Sequence, residues 1–183
     1  MTTIERRGHR IRVLFSPEDI AARNRALADE ISRKAGSEIL VIAILKGSFV
    51  FAADLLRALY EAGLSPQVEF MSLSSYGAGT ASSGQVSVLR DVETDVAGRT
   101  VILVDDILES GRTLAYAKDL LAARGAARVL SCVLLDKPGH RAASIDPDFV
   151  GFDCPDLFVV GYGMDVAHAF RELPFVGVVE DRA

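Results

Sequence analysis

Three uninterrupted apolar runs constrain the fold of this chain more than any other feature. Residues 39–45 (ILVIAIL), 101–104 (VILV) and 129–135 (VLSCVLL) carry a single serine between them and no polar alternation. A strand with one face in water alternates polar and apolar side chains, so strands apolar throughout must be covered on both faces, as in a parallel sheet between helices. The segments that follow the first two runs have helical periodicity. Ala52, Leu55, Leu56 and Leu59 share one face over residues 49–62, closed by Gly63. Leu114, Ala117, Leu121 and Ala122 do the same from about Thr113 to Gly125. Strand and helix in alternation predict an α/β fold with an open, mainly parallel twisted sheet flanked by helices.

The remaining elements are shorter. Ile11, Val13 and Phe15 alternate as a strand, and Ser16-Pro17-Glu18-Asp19 reads as a cap, a helix-starting proline and acidic first-turn residues. Ile20, Leu27, Ala28 and Ile31 then mark a helix that stops at Gly36. Residues 68–73 supply a strand, and 86–89 a second arm returning from the glycine-rich stretch SSYGAGTASSGQ (residues 74–85), which is expected to be a mobile loop. Residues 158–160 and 176–179 are further short strands.

At 183 residues the chain suits one domain with a sizeable core. Its net charge of −5, with both signs interspersed, does not favour sustained binding to nucleic acid or to an anionic membrane. Residues 1–12 are polar, and no stretch approaches about 18 apolar residues, so no membrane span and a cytoplasmic location are expected. Cys132 and Cys154 are too far apart for CxxC chemistry and are read as free thiols. His9, His140 and His168 lack a metal-binding spacing and are given no site role.

Ligands of open parallel sheets bind beyond the carboxyl ends of the strands. Four chemically loaded segments fall there: Lys46-Gly47-Ser48, residues 105–113, Asp136-Lys137-Pro138, and residues 158–171. In VILVDDILESGRTL an apolar strand delivers Asp105 and Asp106, and Glu109-Ser110-Gly111-Arg112-Thr113 then turns into a helix whose first amides lack intrahelical partners. Those amides and the hydroxyls of Ser110 and Thr113 suit a phosphate monoester. Carboxylates beside that phosphate require a second address on the same ligand, either sugar hydroxyls or a metal. A sugar phosphate satisfies both halves. Neither ESGRT nor LKGS has the order of a Walker A loop.

The run VDDILESGRT resembles the phosphoribosyl pyrophosphate signature of the type I phosphoribosyltransferases. With LKGS, SSYG, LLDKP, PDFVGF and PDLFVVGYGMDVAHAFRELPFVGVV in matching order over residues 39–179, the chain is similar to the bacterial hypoxanthine branch of that family. The resemblance implies one phosphoribosyltransferase domain over residues 1–183. Its core would span about 36–140, and a small hood would come from the N-terminal residues and about 141–183. It further implies a magnesium-dependent transfer of phosphoribosyl from phosphoribosyl pyrophosphate to a 6-oxopurine base. Exposed sheet edges and the apolar content lead to the expectation of a homodimer or homotetramer.

By position, it gives Asp105, Asp106, Ser110, Gly111, Arg112 and Thr113 to the ribose and 5′-phosphate, and Asp105, Asp106 and Asp165 to the metal region. Lys46, Gly47 and Arg171 go to pyrophosphate, with a cis peptide between Leu45 and Lys46. Lys137 goes to the purine O6, Phe158 to ring stacking and the Val159 backbone to the purine edge. Ser75 and Tyr76 head a loop that closes over the site. Glu109 would handle the proton of purine N7, although the commonest pattern has aspartate, threonine and glycine where this chain has Glu-Ser-Gly. A regulator of the same fold that senses phosphoribosyl pyrophosphate would need an added helix-turn-helix or a basic face. A phospho-acceptor receiver would carry its acidic pair after the first strand of the sheet rather than mid-chain.

Overall fold

The structure, a computed structural model, describes residues 2–75 and 86–180. One sheet is built from β3 (Ile39–Leu45), β4 (Gln67–Ser75), β5 (Val86–Arg90), β6 (Thr100–Leu108), β7 (Arg128–Asp136) and β8 (Phe149–Asp153), in the order β5-β4-β3-β6-β7-β8. Five of its strands are parallel, and β5 pairs antiparallel with β4 at the edge.

The pleat of β3 accounts for its unbroken apolar run. Ile39, Val41 and Ala43 enter the core beneath α1 (Pro17–Ala35) and α2 (Phe49–Glu61), whereas Leu40, Ile42 and Ile44 enter the opposite layer beneath α3 (Arg112–Ala123). In β6, Ile102 and Val104 face the first layer and Val101 and Leu103 the second. Each large apolar side chain buried in this way contributes about 1.5–3 kcal/mol relative to exposure.

A reciprocal cap starts α1: Ser16 Oγ accepts from the Asp19 amide at 3.1 Å, and Asp19 Oδ2 accepts from the Ser16 amide at 3.2 Å. Arg23 fastens the helix to the sheet edge by donating to the carbonyls of Val150 and Gly151. Right-handed crossovers from β3 to β4 and from β6 to β7 run in opposite directions along the sheet, which puts α2 and α3 on opposite faces. The chain order therefore reverses between β3 and β6, and a crevice opens at their carboxyl ends.

The second sheet is antiparallel, ordered β1-β2-β10-β9, from β1 (Thr3–Arg6), β2 (His9–Phe15), β9 (Val159–Val160) and β10 (Val176–Val179). It has its own small core of Ile11, Val160, Phe170, Leu173, Phe175 and Val179.

Several elements depart from the sequence expectation for physical reasons. Strand β6 does not end at the acidic pair, because its ladder with β7 continues through Asp105 opposite Val133 to Leu108 opposite Asp136. The N-terminal TIER segment forms the unexpected β1, an exposed edge strand that needs no apolar face. Unexpected too is β8, interrupted by Gly151, where an added Cβ would lie 2.4 Å from the Leu134 carbonyl oxygen. Since β8 pairs with β7 and α1 packs on the same face of the sheet as α2, the six-stranded sheet and its cover reach beyond residues 36–140. None of the described helices is long and apolar enough to cross a membrane.

Candidate active site

Strand β3 ends in a cis Leu45–Lys46 peptide, and the chain turns through Gly47 and Ser48 into α2. Buried Ser48 fixes that turn by donating from Oγ to the Ile44 carbonyl at 2.5 Å. Position 47 has no room for a side chain: an added Cβ would sit 1.7 Å from Asp106 Oδ2. From the segment between β9 and β10, Gly163 closes on the other side, where an added Cβ would lie 2.2 Å from the Gly47 carbonyl oxygen. Glycines thus allow three segments distant in sequence to touch at the mouth of the crevice.

Lys46, Gly47, Asp105, Asp106, Glu109, Ser110, Gly111 and Thr113 line one cavity of about 260 Å³ there. Gly111 is the helix cap, with φ +78°, and a side chain at this position would meet Ile145 Cγ2 at 2.6 Å. The Ser110 carbonyl accepts from the amides of Ala142 and Ala143, which holds the turn against the segment after β7. Arg112 differs from its neighbours: it lines a separate groove with Tyr116 and Asp119, and its amide donates to Ser110 Oγ at 3.4 Å.

Burial pushes the Asp105 carboxyl well above the usual carboxylate range, and the adjacent Asp106 adds to the shift. The Asp106 carboxyl is also raised, chiefly by burial, against the opposing effects of hydrogen bonds and the positive charge of Arg171. A raised folded-state value means that the folded chain holds these protons more tightly than the unfolded one. The pair's contribution to stability is therefore fully present below the ordinary aspartate value of about 4 and is lost as pH rises through the raised values. Asp105→Asn, which cannot ionise but can still accept from the Asp106 amide, is expected to raise the Tm of the ligand-free protein at pH 8, with the gain shrinking towards pH 4. A lower Tm than the parent across that range would contradict this. Buried Asp105 and half-buried Asp106 are an all-oxygen donor set, and they fit a hard divalent cation whose charge would offset their desolvation.

On the far side of the crevice, Lys137 Nζ is 3.0 Å from Glu109 Oε1 and 3.7 Å from Asp156 Oδ1, and Asp156 Oδ2 is 2.8 Å from His140 Nε2. The Lys137 side chain is buried, and its amide donates to the Leu108 carbonyl at 2.9 Å. Arg141 donates to the carbonyls of Leu108 and Glu109 at 3.0 and 2.9 Å and pairs with Asp136, anchoring the turn that presents Glu109. Glu109, His140 and Asp156 bring ligand atoms within 4.8 Å of one another, but the Lys137 ammonium already supplies the cation there.

The segment after β9 contributes Asp165 and Arg171, paired with each other at 2.6 Å, and Arg171 also donates to the Gly163 carbonyl at 2.6 Å. Phe158 is 41 % exposed, with its carbonyl accepting from Val179, and Val159 is buried beside it. Ser75 is the last residue of β4, and Tyr76 lies outside the described residues. Sequence reasoning did not single out Asp156, Arg141, Tyr162 or Gly163, and it gave His140 no site role.

Comparison with known proteins gives the family. The phosphoribosyl transferase domain family matches residues 14–167. This chain belongs to the phosphoribosyltransferase family. Among relatives of this phosphoribosyltransferase, the hypoxanthine phosphoribosyltransferase of Buchnera aphidicola is 41% identical over 93% of the chain and 97% of the relative. The hypoxanthine-guanine phosphoribosyltransferase of Streptococcus agalactiae is 42% identical over 93% of each. A crystal structure of a hypoxanthine phosphoribosyltransferase from Staphylococcus aureus superposes with a TM-score of 0.86 at 36% identity, covering 92% of this chain and 90% of that one.

Proposed function

We propose that this phosphoribosyltransferase is a hypoxanthine phosphoribosyltransferase of purine salvage, converting hypoxanthine, guanine or both, with phosphoribosyl pyrophosphate, to IMP or GMP and pyrophosphate. The observation that carries the reading is the Glu109–Lys137 pair beside a crevice that also holds the Asp105–Asp106 pair and the Ser110–Thr113 turn. One end of the site is built for a sugar phosphate, and the other presents an ammonium and a carboxylate to a planar base.

Displacement of pyrophosphate from the anomeric carbon develops positive charge on the ribose and negative charge on the leaving group. Lys46, the Gly47 backbone and Arg171 meet the leaving group. The Ser110 to Thr113 turn, through its amides and hydroxyls, anchors the 5′-phosphate, with Arg112 contributing through its backbone. Asp105 and Asp106 address the ribose. Together with Asp165 they would hold magnesium, which supplies Lewis-acid neutralisation of the pyrophosphate when bound. Lys137 donates to purine O6, Glu109 faces N7 and takes its proton, Phe158 stacks on the ring, and the Val159 backbone lies at the purine edge. In this reading the six-stranded sheet is the core of a single domain and the four-stranded sheet its hood. The enzyme works in the cytoplasm as a homodimer or homotetramer. The described helices all pack against the six-stranded sheet, which leaves the regulator without a groove-reading helix pair.

The test is steady-state formation of nucleotide from hypoxanthine, guanine and xanthine with phosphoribosyl pyrophosphate, in magnesium and in excess chelator. Absence of nucleotide with every base, or full turnover in chelator, would overturn the reading. Lys137→Ala is expected to lower kcat/KM for hypoxanthine by about 10- to 150-fold, equivalent to the 1.5–3 kcal/mol of a charged hydrogen bond. The parent should discriminate against adenine, whose 6-amino group cannot accept from an ammonium, and equal rates with adenine would remove Lys137 from that role.

A further inference from the structure

We propose that Tyr162 is a positioning residue for the pyrophosphate half of the site, its hydroxyl clamping the hood segment that carries Gly163, Asp165 and Arg171 to both α1 and α2. The inference rests on the functional reading above for the identity of the ligand. It stands on a buried hydrogen-bond chain that the catalytic scheme does not use.

Tyr162 is 4 % exposed and sits at φ +49°, a left-handed conformation that is uncommon for a bulky residue. Its hydroxyl donates to Asp54 Oδ2 on α2 at 2.7 Å and accepts from Asn24 Nδ2 on α1 at 2.9 Å. An ordinary buried tyrosine needs one partner for its hydroxyl, and this one is held from two helices. Asn24 is itself buried, and among the described residues its Oδ1 has no hydrogen-bond partner while its Nδ2 donates to the phenol. Burial and the Asp54 carboxylate both raise the phenol above its usual range, which keeps it a protonated donor.

The backbone around Tyr162 transmits this anchoring. The Tyr162 amide donates to the Leu173 carbonyl at 2.8 Å and the Gly163 amide to the Arg171 carbonyl at 3.1 Å, while the Arg171 side chain returns to the Gly163 carbonyl. Gly163 abuts the Gly47 carbonyl, and Gly47 abuts Asp106. The helix that carries Asp54 begins two residues after Gly47. The phenol thus ties together the two cationic contacts of the pyrophosphate, the Lys46-Gly47 turn and Arg171, which come from different sheets. Tyr162 is outside the cavity that Glu109 lines, and it lines a second one with Asn24, Asp54 and Arg171. Where a side chain holds one half of a site, its loss acts on that substrate alone.

The experiment compares the full-length parent with Tyr162→Phe, which keeps the ring and removes the hydroxyl. Expected results are a rise of about tenfold in the KM for phosphoribosyl pyrophosphate, a KM for hypoxanthine within about twofold of the parent, and a matching loss of pyrophosphate affinity by calorimetry in magnesium. Asp54→Asn keeps an oxygen acceptor for the phenol and should stay close to the parent, whereas Asp54→Ala should reproduce the Tyr162→Phe split. The Asp54 pair also carries the test if Tyr162→Phe fails to fold. A lowered Tm with both KM values unchanged, or both raised equally, would assign Tyr162 to packing and overturn the inference. If the parent binds pyrophosphate and the variants bind it equally tightly, the clamp alone is wrong. A parent that neither binds pyrophosphate nor turns over phosphoribosyl pyrophosphate overturns the functional reading and the clamp with it.

Discussion

Glu109→Gln is expected to lower kcat by roughly 10²- to 10⁴-fold, the range of general acid-base groups, with the KM for phosphoribosyl pyrophosphate unchanged or reduced. The structure sharpens this expectation. Glu109 Oε1 accepts from Lys137 Nζ at 3.0 Å, and a glutamine carbonyl oxygen can accept from the same ammonium, so the variant keeps the turn and its partner while losing the ability to take a proton. The Glu109 and Leu108 carbonyls remain anchored by Arg141, which limits collapse of the turn. Relief of the repulsion between the Glu109 carboxylate and a phosphate held at the nearby N-terminus of α3 would tighten substrate binding. Glu109→Asp should retain much of the activity, because it restores the commoner side chain of the family pattern at the cost of one methylene of reach towards Lys137. Steady-state and single-turnover rates for the three proteins decide the matter. An intact kcat in Glu109→Gln, with only the phosphoribosyl pyrophosphate affinity altered, would make Glu109 a loop-shaping residue and pass the proton to another group.

What could be read from the sequence follows from where the information is local. Buried parallel strands have no choice but to be apolar on both faces, so β3, β6 and β7 announced themselves, and the acidic pair and the ESGRT turn follow the apolar run 101–104 along the chain. The Ser16–Asp19 cap was equally visible, since both partners lie within one helical turn. Asp156 and Tyr162 were not visible. Asp156 acquires meaning only because the segment after β8 returns to Lys137, and Tyr162 only because its hydroxyl reaches two helices from elsewhere in the chain. The glycines divide in the same way. Gly111 could be anticipated as part of a turn into a helix. Gly163 could not, because what forbids a side chain there is the backbone of Gly47, brought up by another sheet.

That contact sets the second large expectation. Gly163→Ala places a Cβ 2.2 Å from the Gly47 carbonyl oxygen and 3.3 Å from the carbonyl carbon, at a backbone φ of +100° that L side chains rarely adopt. The φ penalty is on the order of 1–3 kcal/mol. The clash is with backbone, so no rotamer change relieves it, and either the hood segment or the Lys46-Gly47 turn must move. Either movement separates Arg171 from Lys46, the two cations assigned to pyrophosphate. Gly163→Ala is therefore expected to lower Tm by several degrees and kcat/KM for phosphoribosyl pyrophosphate by at least about 100-fold, on the scale that misplacement by an ångström costs a preorganised site. Gly47→Ala meets a side chain instead, Asp106, which can rotate by giving up its bond to the Ile107 amide. It should cost less stability while still displacing a carboxylate of the crevice. Gly139→Ala, on the purine side, has nothing within 4 Å of the added Cβ and should leave Tm within about a degree of the parent. A Gly163→Ala enzyme with parental Tm and activity within threefold would show that the hood and the pyrophosphate turn move independently, and the clamp through Tyr162 would then have nothing to hold in place.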